Sequence, residues 1–460
     1  MTSAKSKTEH ITDMTAGGIY SHVLRFAVPI FISQVFQQMY NTADALIVGR
    51  YLGTEALAAV SSSGPLIFMM ISFFEGVGMG AGVVISKYFG AKEYDKVSDA
   101  IHTDIAAGII CGVFLTAVGV FCTPVFLRWM KTDASVLPQA VSYFRVYFSG
   151  VITIVLYNAC KGIMNALGDS KRPLYYLIFS SLLNIALDIL FVGVLGWGVM
   201  SAAAATVISQ AASLVLCIIH LTRKGNIYTV EYGKIRITGR MLREILRYGV
   251  PSGIQNSVIA ISNVIVQTQI NSFGAAATAA YGAHSKLEGF AFLPITSFNM
   301  AVTTFISQNL GAGKHERAKK AALSGTLSAV ILAGIIGVVY YIFAPVFISL
   351  FDKSPEVIAY GVTQARTVTL FYCLLAFSHS VAAICRGAGK AVVPMVIMLA
   401  VWCVIRIIYV LTVMRLFGEI RYVYMAYPIT WSITSVIYLF YYIFSDWVHG
   451  LDRPAYIAEV

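Results

Sequence analysis

Asn184 and Asp188 lie four residues apart in an otherwise apolar stretch, Ser181-Leu-Leu-Asn-Ile-Ala-Leu-Asp188. No other charged residue occurs from Pro173 to Leu195, and that run is long enough to cross a bilayer, which takes ~20 apolar residues. Positions i and i+4 share one face of a helix, so the amide and the carboxylate can address one ligand. A carboxylate surrounded by hydrocarbon is costly and usually faces a cavity, a partner or an ion. The chemistry this spacing suggests is reversible loading with a cation or proton, which changes the charge of the pair.

The elements that position such a pair follow from composition. Of 460 residues, 58% are hydrophobic and 12% charged, against about 25% charged in a soluble domain. The bulk of the chain therefore belongs in lipid. The net charge of +11 could suggest nucleic acid, but the basic residues sit in short loops, where a positive-inside topology accounts for them. The seven cysteines are scattered through apolar spans with no CxxC and read as small core residues. Residues 1–15 are polar and lack the apolar core of a signal peptide, so insertion is expected to rely on the first span.

Apolar runs separated by Gly, Pro and charge give twelve spans. The first six are 19–49, 55–84, 99–122, 137–160, 173–195 and 199–221. The second six are 243–271, 277–307, 320–345, 357–385, 392–414 and 422–446. One alternate set of loops carries about three times as many Lys and Arg as the other. That asymmetry places both termini in the cytoplasm and the chain in the cell inner membrane. The expected division is a cytoplasmic tail (1–18), a first lobe (19–221), a basic linker (222–242), a second lobe (243–447) and a C-terminal tail (448–460).

The two halves repeat each other. Arg25-Phe-Ala-Val-Pro29 returns as Arg247-Tyr-Gly-Val-Pro251, and Ile85-Ser-Lys-Tyr-Phe-Gly-Ala91 returns as Ile306-Ser-Gln-Asn-Leu-Gly-Ala312. Six spans per repeat is an even number, so both halves share one orientation, with a substrate path expected at their interface. The fold class is therefore all-α and polytopic, with twelve transmembrane helices in two pseudo-symmetric six-helix bundles.

Depth counting, at about 1.5 Å of helix rise per residue, gives the pair its companions. Gln34, Gln37, Asn41 and Asp44 form one polar stripe on span 1. Asp44 lies ~9 Å below the outer end of that span, Asp188 ~10 Å below the end of span 5, and Thr206 at ~10 Å in span 6. The three share one level, with Asn184 a turn deeper and Asn158 of span 4 deeper still. Two carboxylates, an amide oxygen and a hydroxyl make a hard oxygen site suited to Na⁺ or a shared proton. The second half lacks this set. It has Gln255, Asn256, Asn263 and Gln267 in span 7, Glu288 in span 8 and Arg406 in span 11. Glu288 and Arg406 are either a structural ion pair joining two helices or a second protonation or substrate site.

No Walker A sequence is present, so direct ATP hydrolysis is not expected. Gly76-Val-Gly-Met-Gly-Ala-Gly82 falls inside a span and reads as small-residue helix packing. The histidines show no shared ligand spacing.

The chain resembles the multidrug and toxic compound extrusion (MATE) family over nearly all its length. The segments that carry the resemblance are Pro29 through Asp44-Ala-Leu-Ile-Val-Gly49 and Leu52-Gly-Thr-Glu-Ala-Leu-Ala-Ala59. They continue with Asn165-Ala-Leu-Gly-Asp-Ser-Lys-Arg-Pro173, Asn184-x3-Asp188 and Gln308-Asn-Leu-Gly-Ala-Gly313. The resemblance implies two six-helix bundles working by rocker-switch alternating access, with Na⁺ or H⁺ entry driving drug export. It looks closer to the DinF-like branch, whose cation site maps onto Asp44, Asn184, Asp188 and Thr206, with Asn158 beside it. NorM-like members use acidic residues in helices 7 and 10, where this chain has only amides in helix 7 and no carboxylate in helix 10 beyond Glu356 at its outer end.

The expected function is thus a secondary antiporter of amphipathic, cationic organic compounds, not an enzyme. It is expected to need no cofactor, only Na⁺ or H⁺ as coupling ion. Its partners are small organic substrates and the lipid bilayer, with no nucleic acid, and the chain acts as a monomer. Gln34, Gln37, Asn41, Gln255, Asn256, Asn263, Glu288 and Arg406 are candidates for the substrate cavity. A lipid-linked precursor flippase is the alternative, though the intramembrane basic residues are few. An enzyme using Asp44 and Asp188 as an acid–base pair would have no need of a two-lobed repeat.

Overall fold

In hydrocarbon every backbone N–H and C=O must be paired within its own segment, so long apolar runs become helices. A computed structural model of the chain describes residues 13–129, 136–223 and 228–451, without side chains at 54, 57, 58 and 61–70. Most of the two expected tails lies outside the described residues. Among the described residues there is no β-strand.

The helices of the first half are α1 (Ile19–Gly53), α2 (54–90), α3 (Tyr94–Trp129), α4 (Leu137–Ser149 and Val151–Ala166), α5 (Lys171–Val194) and α6 (Val199–Leu221). Those of the second half are α7 (Gly239–Asn271), α8 (Ala275–Gly311), α9 (His315–Ser349), α10 (Pro355–Gly387), α11 (Val392–Leu416) and α12 (Ile420–Phe444). The spans read from the sequence fall within these twelve helices, or overrun an end by a residue or two. Gly53 separates α1 from α2 with φ +86°, and Gly274 does the same between α7 and α8 with φ +101°. Only glycine adopts such backbone without strain, and the two glycines stand at matching places in the two halves. The bend of 48° inside α4, between Ser149 and Val151, interrupts a stretch that the sequence reading treats as one continuous span.

The helix surfaces are those of membrane spans. On α9, Leu323, Leu327, Ile331, Ile335 and Ile342 are exposed, whereas Ala318, Ala322, Gly325, Ala329, Ala333 and Gly337 face inward. Small residues turned inward and branched apolar residues turned outward let helices approach closely in lipid. The seven cysteines are all free.

The chain divides into two compact units. The first holds residues 32–246, and the second holds 14–31 together with 247–451. The first lobe was expected at 19–221, so the start of α1 has moved to the second unit and the linker to the first. Hydrogen bonds explain both shifts. In the second unit, Asn309 Nδ2, Lys314 Nζ and Arg317 take the backbone carbonyls of Met14, Thr15, Ala16 and Gly17, at 2.7–3.2 Å. In the first unit, the Glu231 and Thr238 N–H groups donate to His102 Nε2 (3.0 Å) and Thr103 Oγ1 (3.2 Å). There Glu244 also accepts from Lys87 and Tyr88, both at 2.8 Å.

Candidate functional site

In the first unit, α5 carries Asn184 and Asp188, α6 carries Thr206, and α1 carries Asp44. Asn184 and Asp188 are fully buried, and Asp44 and Thr206 are 8% and 7% exposed. The i, i+4 spacing on α5 turns both side chains to one face, and the helix loosens into a π-helical turn at Ile189–Val194, starting at the next residue. Such turns recur at functional sites. Asn184 Nδ2 approaches Thr206 Oγ1 at 3.5 Å, while Thr206 Oγ1 donates to the Ala202 carbonyl at 3.2 Å. The carboxyl groups of Asp44 and Asp188 come within hydrogen-bonding reach of each other.

The balance of donors and acceptors describes what the site lacks. Asp44 Oδ1, Asn184 Oδ1 and both oxygens of Asp188 are buried without a hydrogen-bond donor. Among the described residues neither aspartate forms an ion pair. A buried carboxylate with neither donor nor counter-charge is expensive, and here two share one place. A proton between them, or a small hard cation among the four oxygens, relieves that cost.

Tyr40 and Gln210 complete the cluster and were not singled out from sequence. The buried Tyr40 hydroxyl accepts from Gln37 Nε2 at 2.9 Å and lies close to the Gln210 side chain. Helical spacing could have found both, since Tyr40 precedes Asp44 by four residues and Gln210 follows Thr206 by four. Ser181, one turn before Asn184, adds a buried hydroxyl with no partner. Of the other candidates on α1, Gln34 is half-buried and Asn41 exposed. Asn158 on α4 is half-buried and forms no hydrogen bond to the group.

The candidates of the second unit do not assemble into a comparable set of acceptors. Gln255 is buried and accepts from Arg386 Nη1 at 3.4 Å, and Asn256 is half-buried. Arg406 is completely buried, its guanidinium between the rings of Trp402 (4.6 Å) and Tyr427 (4.9 Å). Its Nε and Nη2 donate to Thr430 Oγ1 at 3.2 and 2.8 Å, and its Nη1 reaches Asn263 Oδ1 at 3.5 Å. Glu288 is half-buried and lies beyond ion-pair distance. The close Glu288–Arg406 pair that would join two helices is therefore not formed; neutral oxygens and ring faces hold the guanidinium instead.

The MatE family model matches the chain twice, over residues 29–190 and 251–412. The chain belongs to the MatE family. Both ends of the second match are displaced from those of the first by the same number of positions, so the family model itself recognises the internal repeat. The chain is 31% identical over 431 residues to the probable multidrug resistance protein YoeA of Bacillus subtilis (strain 168), covering 91% of this chain and 92% of that protein. It is 23% identical over 389 residues to the probable multidrug resistance protein NorM of Thermotoga maritima, covering 84% and 83%. Among solved structures it is similar to a MATE protein in complex with MaL6, at 22% identity and TM-score 0.89 over 97% of this chain and 100% of that one. It is equally similar to the outward-facing conformation of a multidrug resistance MATE transporter, at 22% identity and TM-score 0.89, covering 97% and 99%. These likenesses show the fold, twelve transmembrane helices in two six-helix bundles. Membership of the family makes the chain a multi-pass membrane transporter of the multidrug-export type rather than an enzyme.

Proposed function

We propose that this MATE protein is a cation-coupled antiporter that expels amphipathic, cationic organic compounds by rocker-switch alternating access. Asp44, Asn184, Asp188 and Thr206 are its coupling site, as in the DinF-like branch, and Na⁺ or H⁺ is the ion. The protein works as a monomer in the cytoplasmic membrane with both termini inside. The observation that carries this reading is the group of four unpartnered buried oxygens on Asp44, Asn184 and Asp188.

Loading the pair removes the cost of a buried double negative charge, so the loaded unit tolerates closure that the empty one resists. One elementary charge moving down 100 mV supplies about 2.3 kcal/mol, roughly a fifty-fold concentration ratio at 1.36 kcal/mol per tenfold. The ion binds within one unit, leaving the substrate to the polar and aromatic candidates elsewhere. Walls that are mostly apolar with few fixed polar groups accept many shapes.

Vesicles with Na⁺ and pH gradients imposed separately test this. At least one gradient should drive uphill export by the wild type, and neither should drive it in Asp188→Asn or Asp44→Asn. Gradient-driven export retained in both variants would refute the assignment.

A further inference from the structure

The two family-model matches fix the register of the repeat, and in that register Asn184 corresponds to Arg406. Where the first unit offers an unpartnered amide oxygen, the second thus holds a buried cation. The helix again loosens beside it, in a π-helical turn over Leu399–Ile405 on α11. The substitution also consumes local acceptors: Asn263 Oδ1 and Thr430 Oγ1, which a metal ion would need, are spent on the guanidinium. The neutral oxygens around Arg406 are thereby withdrawn from any small inorganic cation.

Glu288 is the carboxylate within this field. It lies mid-way along α8, half-buried. Among the described residues it forms no ion pair. The buried Tyr372 hydroxyl faces it but stops short of a well-formed hydrogen bond. A carboxylate offers about four lone-pair sites, and inside a membrane such a group is rarely left without use. Its surroundings are aromatic. Phe292 follows it by four residues on the same helical face and meets the Tyr372 ring edge-on, the centroids 6.5 Å apart. A carboxylate with unspent acceptors beside ring faces, where the neighbouring neutral oxygens are already taken, has the chemistry that receives an organic cation.

We propose that Glu288 is the group in the second unit that binds the positive centre of an organic cation, with Arg406 occupying the neutral oxygens that a small inorganic cation would need as further ligands. The proposal rests on the export reading and names the residue that reads substrate charge. It divides the work: the first unit binds the driving ion, and the second selects the cargo.

Tetraphenylphosphonium and tetraphenylborate, nearly the same in shape and opposite in charge, provide the test on the full chain in nanodiscs. The wild type should bind the phosphonium and not the borate. Glu288→Gln should weaken the phosphonium by tenfold or more and gain affinity for the borate, because Arg406 is then uncompensated. Glu288→Asp should recover most of the phosphonium binding, which a folding defect would not allow. Glu288→Gln/Arg406→Gln should lose the preference for either sign. Phosphonium binding unchanged in Glu288→Gln overturns this proposal while leaving the export reading standing. No phosphonium binding by the wild type overturns both.

Discussion

The first unit places buried acceptors together without donors, and the second places a buried donor among acceptors that it saturates. Both use the same scaffold: one internal repeat and a glycine turn at Gly53 and Gly274, although the π-helical turn follows the paired position in α5 and precedes it in α11. The helix has been kept and a charge introduced, with the neutral Asn184 in one copy and the cationic Arg406 in the other. The repeat supplies corresponding helices, while the chemistry at the paired positions differs between the halves. The segments bound to each unit, residues 228–246 in the first and 14–31 in the second, differ in the same manner: in one, backbone N–H groups donate to His102 and Thr103, and in the other, backbone carbonyls accept from Asn309, Lys314 and Arg317.

The comparison can be broken most severely at the carboxylate pair. Asp188→Asn or Asp44→Asn should lower gradient-driven export by at least about 100-fold, and the double variant should be no worse than either single one, since the two act as a unit. Initial rates in vesicles measure this, and additive losses would separate the two residues.

Smaller effects follow in stability. Arg406→Ala leaves a cavity and strips the donors from Thr430 and Asn263, and should cost about 3–5 kcal/mol. Asn184→Ala, at the matching position, loses only a long 3.5 Å contact and should cost about 1 kcal/mol. Denaturation of the purified protein compares them. Equal losses would mean that the second unit does not depend on its buried cation.

Helix packing offers a third contrast. A methyl group at Gly337 would run into the Thr369 backbone carbonyl, and one at Gly119 into the Phe148 ring. Both Gly→Ala changes should destabilise by about 1–3 kcal/mol, Gly337→Ala the more because backbone yields less than a ring. Thermal unfolding gives the order.

These two bound segments give the smallest effects. Arg317→Ala removes hydrogen bonds to three carbonyls and should cost roughly 1–2 kcal/mol locally, seen as faster amide exchange at the start of α1. Thr103→Val loses one bond and should cost about 1 kcal/mol or less, seen around Thr238. Unchanged exchange in both would show that neither segment is held by these side chains.

The twelve spans were legible in the sequence because lipid demands long apolar helices punctuated by glycine and charge. The meeting of Asp44, Asn184, Asp188 and Thr206 was legible because rise per residue fixes depth and helical spacing fixes the face. The same arithmetic reaches Tyr40, four residues before Asp44, and Gln210, four after Thr206. What the sequence did not disclose depends on contacts between distant segments. The assignment of residues 14–31 to the second unit rests on side chains between Asn309 and Arg317, far along the chain. The neutral setting of Arg406 depends on α7 and α12 rather than on Glu288, and the π-helical turns break the 3.6-residue period on which the helical reading relies.

Direct counting of bound ions tests the central claim, that the first unit alone holds the coupling ion. Titration of the purified protein with ²²Na⁺, and of the protons released when substrate is added, should find one site per chain. It should vanish in Asp188→Asn and remain in Glu288→Gln. A site that survives Asp188→Asn and disappears with Glu288→Gln would place coupling in the wrong unit and contradict the account.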